Sequence, residues 1–257
     1  MTQDDALKDD ALKIVKVEKE NDDTTSIFFS GPHMERFKNR KPGQFASIRI
    51  YKDGAWSEPH PFTLSSSPSD ETLRMTIKKS GEFTSSIPDI EPGTPIQCSG
   101  PYGQFCKDIA TNKEVVMIAG GVGITPFLSV LRQFRETAAD NEVTLFWANK
   151  TPADAFAAKE LEEFTRHLKL SVVHVYSRVA PEGQTAAPVF TDNRPGKISH
   201  EYGRLNQAIF LRHLTSPDAS FYLCGPPAMQ QTVLEELSRY GVDPGKVDKE
   251  AFVFSKP

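Results

Sequence analysis

The chain has 257 residues, about 1.7 times the ~150-residue prior for one domain, so one large or two modest domains are expected. AVILMFWYC residues make up 38%, charged residues 25%, and the formal net charge is −4. This balance excludes disordered or low-complexity sequence, and it argues against a binder that tracks nucleic-acid phosphates by charge.

The chain opens on a five-residue duplication, Asp4-Asp5-Ala6-Leu7-Lys8 followed by Asp9-Asp10-Ala11-Leu12-Lys13. A period of five suits neither helix nor strand, and two copies do not make a solenoid. Residues 1–13 are therefore expected to be a solvated polar tail of frayed helix. Its acidic opening carries no apolar run of the kind a secretory signal needs, and Met1 with this polar tail favours a stand-alone protein.

From Ile14 the texture is short strands and frequent turns. Ile14–Glu18, Phe45–Ile50 and Leu73–Lys78 alternate apolar and polar residues with period two. Pro42-Gly43, Asp53-Gly54, Ser80-Gly81, Pro92-Gly93 and Pro101-Tyr102-Gly103 punctuate them. This spacing predicts an antiparallel β-barrel or sandwich over 14–110.

The pattern changes near 108–113. Short apolar runs at Glu114–Ala119, Val143–Ala148, Leu170–Tyr176 and Ser220–Leu223 read as buried parallel strands. Helical patterns lie between them at Pro126–Glu136, Ala153–Leu168 and Ala228–Tyr240. The alternation predicts a doubly wound α/β domain over 111–257, and so an α+β chain of two domains. Val115–Leu131 is free of charge but short for a bilayer span, and Gly120, Gly121, Gly123 and Pro126 interrupt it. A strand, a glycine turn and a helix start account for it, so no membrane span is expected.

Three constellations carry chemistry. Gly120-Gly121-Val122-Gly123-Ile124-Thr125-Pro126 follows a strand and opens a helix, where backbone amides attract phosphate. Its spacing differs from GxGxxG, and no acidic residue stands ~20 positions on. Cys224-Gly225-Pro226-Pro227 follows the last apolar strand in the same manner, so the two turns point to one crevice; Cys224 also suits a small buried apolar residue. His60-Pro61-Phe62-Thr63-Leu64-Ser65-Ser66, with Lys78-Lys79-Ser80-Gly81-Glu82-Phe83-Thr84, suits a diphosphate attached to a flat ring. It suits a serine-rich hairpin with a satisfied histidine equally well.

Cys98, Cys106 and Cys224 cannot form a disulfide framework, and they lack the spacing of a zinc or iron–sulfur site. A reducing, cytoplasmic setting is expected. His33, His167, His174, His200 and His213 show no metal-ligand spacing and read as surface or core residues.

In their order these motifs resemble the ferredoxin–NADP reductase superfamily over residues 14–254: PGQF (42–45), HPFTLSS (60–66), KxxGxxT (78–84), GPYG (100–103), GGVGITP (120–126), CGPP (224–227) and EAF (250–252). Most members carry Arg-x-Tyr-Ser/Thr where His60-Pro61-Phe62-Thr63 stands. The variant is similar to the dehydrogenase domains of ferric reductases and NADPH oxidases.

The resemblance implies a barrel for FAD and a parallel-sheet domain for NADPH or NADH. On the flavin side it implies that His60, Pro61, Lys78, Gly81, Phe83 and Thr84 surround the cofactor, with His60, Gly81 and Thr84 at the diphosphate. Phe62 would lie along the isoalloxazine and Thr63 would bond near N5. On the nucleotide side Gly121, Gly123, Thr125 and Pro126 would line the diphosphate and nicotinamide. Cys224, with Gly225 and Pro226, would meet the nicotinamide where hydride leaves. Glu250 and Phe252 form the acidic-x-aromatic ending whose ring covers the flavin, although Phe254 offers a second ring. Ser177 and Arg178 suit the 2′-phosphate of NADPH, in preference to NADH.

The function implied is an FAD-dependent NAD(P)H oxidoreductase, catalytic through Thr63, Cys224, Glu250 and Phe252. It would serve a separate acceptor: a ferredoxin- or flavodoxin-like protein, ferric iron, a quinone or a haem partner. Two other readings are the dehydrogenase portion of a larger membrane electron-transfer system and a regulatory flavin- or nucleotide-binding subunit without turnover.

Overall fold

A computed structural model describes residues 11–179 and 198–252. Two units emerge. One takes the chain up to Gln104 together with Thr125–Gln133; the other takes Phe105–Ile124 and the chain from Phe134 to Val253.

The first unit is built on seven antiparallel strands: β1 (Leu12–Lys19), β2 (Thr24–Ser30), β3 (Phe45–Lys52), β4 (Ala55–Trp56), β5 (His60–Thr63), β6 (Leu73–Lys78) and β7 (Pro95–Tyr102). Their order is β4-β3-β7-β1-β2-β6, with β5 also on β3. Period-two alternation turns Ile14, Ile27, Phe29, Ile48, Met75 and Ile96 into one core. Just past β5, Ser65 N–H donates to the Arg74 carbonyl of β6 (2.8 Å), and this bond draws the sheet round on itself.

β1 starts at Leu12, so Leu12 and Lys13 are strand where a frayed helical tail is expected. Pairing of Leu12 with Ile96 and its near-complete burial decide this. Residues 1–10 lie outside the described residues. The stretch after β6 is also not a hairpin. Gly81 is extended, and the short helix α1 (Glu82–Ser86) follows it. Thr84 Oγ1 folds this turn by accepting from Ser80 N–H (2.7 Å) and Gly81 N–H (2.9 Å).

The second unit is a six-stranded parallel sheet of β8 (Glu114–Gly120), β9 (Glu142–Asn149), β10 (Leu170–Tyr176), β11 (Ile198–Tyr202), β12 (Ser220–Gly225) and β13 (Asp248–Ala251), ordered β11-β10-β9-β8-β12-β13. Val115 to Ala119 are all buried, as a central strand covered on both faces requires. The helices of this unit are α3 (Ala158–His167), α4 (Gln207–His213) and α5 (Pro227–Tyr240), while α2 (Thr125–Glu136), which follows β8 in the chain, falls mostly in the first unit.

The expected helix Ala153–Leu168 begins only at Ala158. Asp154 Oδ2 accepts from Thr151 N–H (2.8 Å) and Thr151 Oγ1 (2.7 Å), closing a separate 3-10 turn over Pro152–Asp154. Register sets one row across the sheet on a single face: Glu250, Cys224, Ala119, Trp147, His174 and His200.

Candidate functional site

The strand order reverses between β8 and β12. From β8 the chain steps outward through β9, β10 and β11, then returns to the other side of β8 with β12. Carboxyl ends of strands at such a switch point are where open parallel sheets receive ligands. Both glycine turns lie there. Gly121–Ile124 forms one 3-10 turn running directly into α2, so Thr125 and Pro126 are its first two residues. Cys224 and Gly225 end β12, and Pro226 precedes α5.

Gly121 sits at φ +52° with open space where a side chain would be, and Trp147 Nε1 donates to its carbonyl (2.8 Å). Its backbone is thus held and left uncovered. Gly123 is different: a Cβ there would lie 2.5 Å from the Cys224 carbonyl oxygen. The two turns are in contact through that glycine.

Cys224 is fully buried and registers with Ala119 on one side and Glu250 on the other. Burial, then the neighbouring Glu250, push its thiol up, so it stands as a neutral thiol. Burial and then Asp248 raise the Glu250 carboxyl to about 7, and its buried Oε2 has no hydrogen-bond partner. Gln230 Nε2 donates to the carbonyls of Gly225 (3.0 Å) and Glu250 (2.6 Å), fastening β12 to β13. Sequence reasoning missed Gln230, as it missed Cys106, a buried cysteine at φ +60° whose N–H donates to Asp248 Oδ2 (3.1 Å). Neither belongs to a recognisable motif. Phe252 follows β13 directly; Phe254 lies outside the described residues.

At the ends of β9 and β10, Ser177 N–H donates to the Asn149 carbonyl (3.0 Å) and Arg178 N–H to the Lys150 carbonyl (2.9 Å). Ser177, Arg178 and Lys150 are exposed. Gly203 N–H donates to the Tyr176 carbonyl (2.9 Å), which brings exposed Arg204 to the same edge. Lys150 and Arg204 are cations that the sequence alone did not distinguish from surface residues.

In the antiparallel unit, HPFT forms β5 and pairs with β3, Thr63 opposite Phe45 and His60 opposite Ile48. His60 stacks on Phe83 (3.8 Å between ring centres, 17° between planes), and Phe62 runs nearly parallel to the same ring (6.2 Å, 13°). Burial lowers the His60 pKa, with Glu58 acting the other way, so the imidazole is neutral near pH 7. Lys78 is half-buried and paired with Asp23 (2.6 Å).

The hydroxyls of the motif divide sharply. Ser65 Oγ donates to the Arg74 carbonyl (3.2 Å) and meets Thr76 Oγ1 (3.2 Å). Ser66 Oγ accepts from Arg74 N–H (3.2 Å), and Ser67 Oγ meets Ser69 Oγ (3.1 Å). Thr63 Oγ1, also buried, has no partner. Buried polar groups are nearly always bonded, so this hydroxyl marks a place for a ligand atom. With the parallel rings of His60, Phe62 and Phe83 in the same unit, the residues present suit a flavin.

Comparison with known proteins agrees. Residues 10–105 match an FAD-binding domain family and residues 117–235 an oxidoreductase NAD-binding domain family. The chain thus joins a domain of an FAD-binding family to a domain of an oxidoreductase NAD-binding family, one for the flavin and one for the pyridine nucleotide. It is 26% identical over 241 residues to a flavohemoprotein of Bacillus subtilis, covering 93% of this chain and 58% of that protein. It is 27% identical over 250 residues to the reductase component of propane 2-monooxygenase from Mycolicibacterium goodii, covering 96% and 68%. Among solved structures, the fold is shared with the cytochrome b5 reductase domain of Ulva prolifera nitrate reductase (TM-score 0.74, 22% identity, 93% and 96% covered). It is also shared with a ferredoxin NADP+ reductase from Neisseria gonorrhoeae with bound FAD and NADP (TM-score 0.71, 21% identity, 93% and 97% covered). The chain thus spans less than two thirds of the flavohemoprotein it matches. No helix among the described residues is long and apolar enough to cross a membrane.

Proposed function

We propose that this chain is an FAD-dependent oxidoreductase that takes hydride from NADPH, in preference to NADH, and delivers electrons to a separate acceptor. The observation that carries the reading is the buried, unpartnered Thr63 hydroxyl, in a motif whose other hydroxyls are satisfied and whose His60 and Phe62 rings lie parallel to Phe83. Bound FAD supplies hydride acceptance and electron release; the protein supplies stacking, orientation and electrostatics.

Residue roles follow from what each group has free. Thr63 offers its hydroxyl to the flavin ring, and Phe62 and Phe83 offer flat faces. His60 contributes a neutral face and a hydrogen bond to the diphosphate. Thr84 is engaged within its own turn, so it shapes the Gly81 loop, whose backbone receives the phosphates; Lys78, paired with Asp23, and Pro61 border the same loop. Gly121, Thr125 and Pro126 present the start of α2 to the nucleotide diphosphate. Gly123 keeps that turn against Cys224, and Gly225 and Pro226 complete the edge. Cys224 packs against the nicotinamide as an uncharged thiol, while Glu250, titrating near neutrality, holds a proton close by. Phe252 is read as the ring over the flavin. Ser177 and Arg178 select the 2′-phosphate, and exposed Lys150 and Arg204 add positive charge at that edge.

We take 14–110 and 111–257 as the working domain limits. The three cysteines, all free and buried, support a cytoplasmic setting. The acceptor is read as a separate protein, with ferric iron or a quinone as small-molecule alternatives. Because the matched flavohemoprotein is longer, the dehydrogenase portion of a larger electron-transfer system is a second reading.

Anaerobic mixing of the FAD-loaded protein with NADPH and then NADH tests the proposal. Bleaching of the oxidised-flavin absorption band, faster with NADPH, is the expected result. A bound flavin that neither donor reduces would make the chain a binding subunit instead.

A further inference from the structure

Asn149 ends the central strand β9, is 7% exposed, and has no partner for either side-chain atom: Oδ1 and Nδ2 are both buried and unbonded. Leaving a carboxamide in this condition is costly, and a leucine of similar size would fill the place without that cost. The residue lies at the carboxyl edge of the sheet. Its neighbour Ala148 registers with Gly120 of the glycine turn, and Asn149 itself registers with Tyr176. Its backbone carbonyl accepts Ser177 N–H (3.0 Å), and the next carbonyl, of Lys150, accepts Arg178 N–H (2.9 Å).

We infer that Asn149 is a positioning residue for the adenosine ribose of the pyridine nucleotide. This rests on reading the carboxyl edge as the nucleotide site and adds to it the group that grips the sugar. The chemistry of the two unpaired atoms selects the ligand group. A phosphate oxygen only accepts, and would leave Oδ1 bare; a ribose hydroxyl both donates and accepts, and satisfies the carboxamide at both ends. The position selects which ribose, because Asn149 holds the Ser177–Arg178 segment assigned to the 2′-substituent. Both atoms are shut off from water in the free chain, so engagement takes a turn of the Asn149 side chain.

The test measures equilibrium binding of NADP+ and of adenosine 5′-diphosphate by calorimetry, together with the melting temperature of the nucleotide-free holoprotein. Asn149→Ala and Asn149→Ser are compared with wild type. The expected result is a loss of affinity of about tenfold for both ligands in Asn149→Ala, the scale of one or two neutral hydrogen bonds, with partial recovery in Asn149→Ser. The nucleotide-free melting temperature should hold or rise, because an unsatisfied buried amide has gone. Unchanged affinities with a shifted melting temperature would make Asn149 merely structural. Loss for NADP+ but not for adenosine diphosphate would move it to the nicotinamide half. Either overturns the inference while leaving the site reading intact. A wild-type protein that binds neither ligand would overturn the site reading itself.

Discussion

Gly123 and Cys224 lie so close that any side chain on the glycine would drive its first carbon to 2.5 Å from the cysteine's carbonyl oxygen. Two segments about a hundred positions apart in sequence are thereby held against each other at the point where the strand order reverses, the place where open parallel sheets receive ligands. The obstacle to substitution is backbone rather than the tip of a flexible side chain, so it cannot swing aside. Gly123→Ala should cost about 3 kcal/mol in the parallel-sheet unit, the upper end for overpacking. It should also weaken NADP+ binding. Chemical denaturation with parallel nucleotide titration checks this, and a variant with wild-type stability would show that the turns separate freely.

Thr63→Ala removes the one hydroxyl of its motif that makes no internal bond. Flavin reduction by NADPH should slow by about tenfold, the worth of one hydrogen bond to the reacting ring, with bound FAD largely retained. Stopped-flow reduction and the flavin-to-protein ratio measure the two effects. Unchanged reduction would remove Thr63 from the hydride-transfer argument.

Arg178 is exposed and its backbone is pinned to Lys150. Arg178→Ala should raise the KM for NADPH by at least tenfold and that for NADH by less than twofold, since charged hydrogen bonds to phosphate are each worth about 1.5–3 kcal/mol. Equal effects on the two donors would place the 2′-phosphate elsewhere, with Lys150 and Arg204 the next residues to replace.

The two-domain architecture was legible because its periodicities differ: alternation in Leu73–Lys78 is a half-buried antiparallel strand, and the unbroken run around Val115–Ala119 is a strand buried on both faces. The glycine and proline turns were legible because few other residues fit them. β11, β13 and α4 were not foreseen. Ile198–Tyr202 and Asp248–Ala251 are short, polar edge strands, defined by pairing with β10 and β12 rather than by their own pattern. Asn149, Gln230 and Cys106 escaped for a related reason. An isolated amide or thiol says nothing until the fold shows whether it has a partner. Motif order pointed to Thr63, but only the structure separates its free hydroxyl from the satisfied serines that follow.

Glu201 on β11 is a structural charge. It is 4% exposed and accepts from Arg212 Nε (2.9 Å) and Arg212 Nη2 (2.6 Å), with His213 Nε2 also 2.7 Å away. Burial alone would raise its pKa, but the hydrogen bonds from His213 and Arg212 prevail and hold it down to about 2. A depressed carboxylate contributes stability above its unfolded pKa of ~4.3, and that contribution is lost as pH falls toward the folded value. Glu201→Gln should therefore destabilise the unit at pH 7 by about 2 kcal/mol, with the gap to wild type narrowing below pH ~4. Denaturant melts across this range test it, and a gap independent of pH would mean the carboxylate's charge is not what matters.

Glu250 behaves in the opposite sense. Burial and then Asp248 raise its folded pKa to about 7, against ~4.3 in the unfolded chain, so the folded state holds an extra proton between those values. The stability it contributes is full below pH ~4.3 and is lost as pH rises through about 7. Glu250→Gln keeps the shape and removes the titration. The variant's melting temperature should gain on wild type between pH 5 and pH 8, and a constant difference would show that the carboxyl ionises as freely as in water. The same substitution separates structure from chemistry. If Glu250 holds a proton near the transferring hydride, the pH profile of flavin reduction should inflect near neutrality in wild type and lose that inflection in the variant. An inflection that survives the substitution would assign it to another group and confine Glu250 to the stability of the β12–β13 edge.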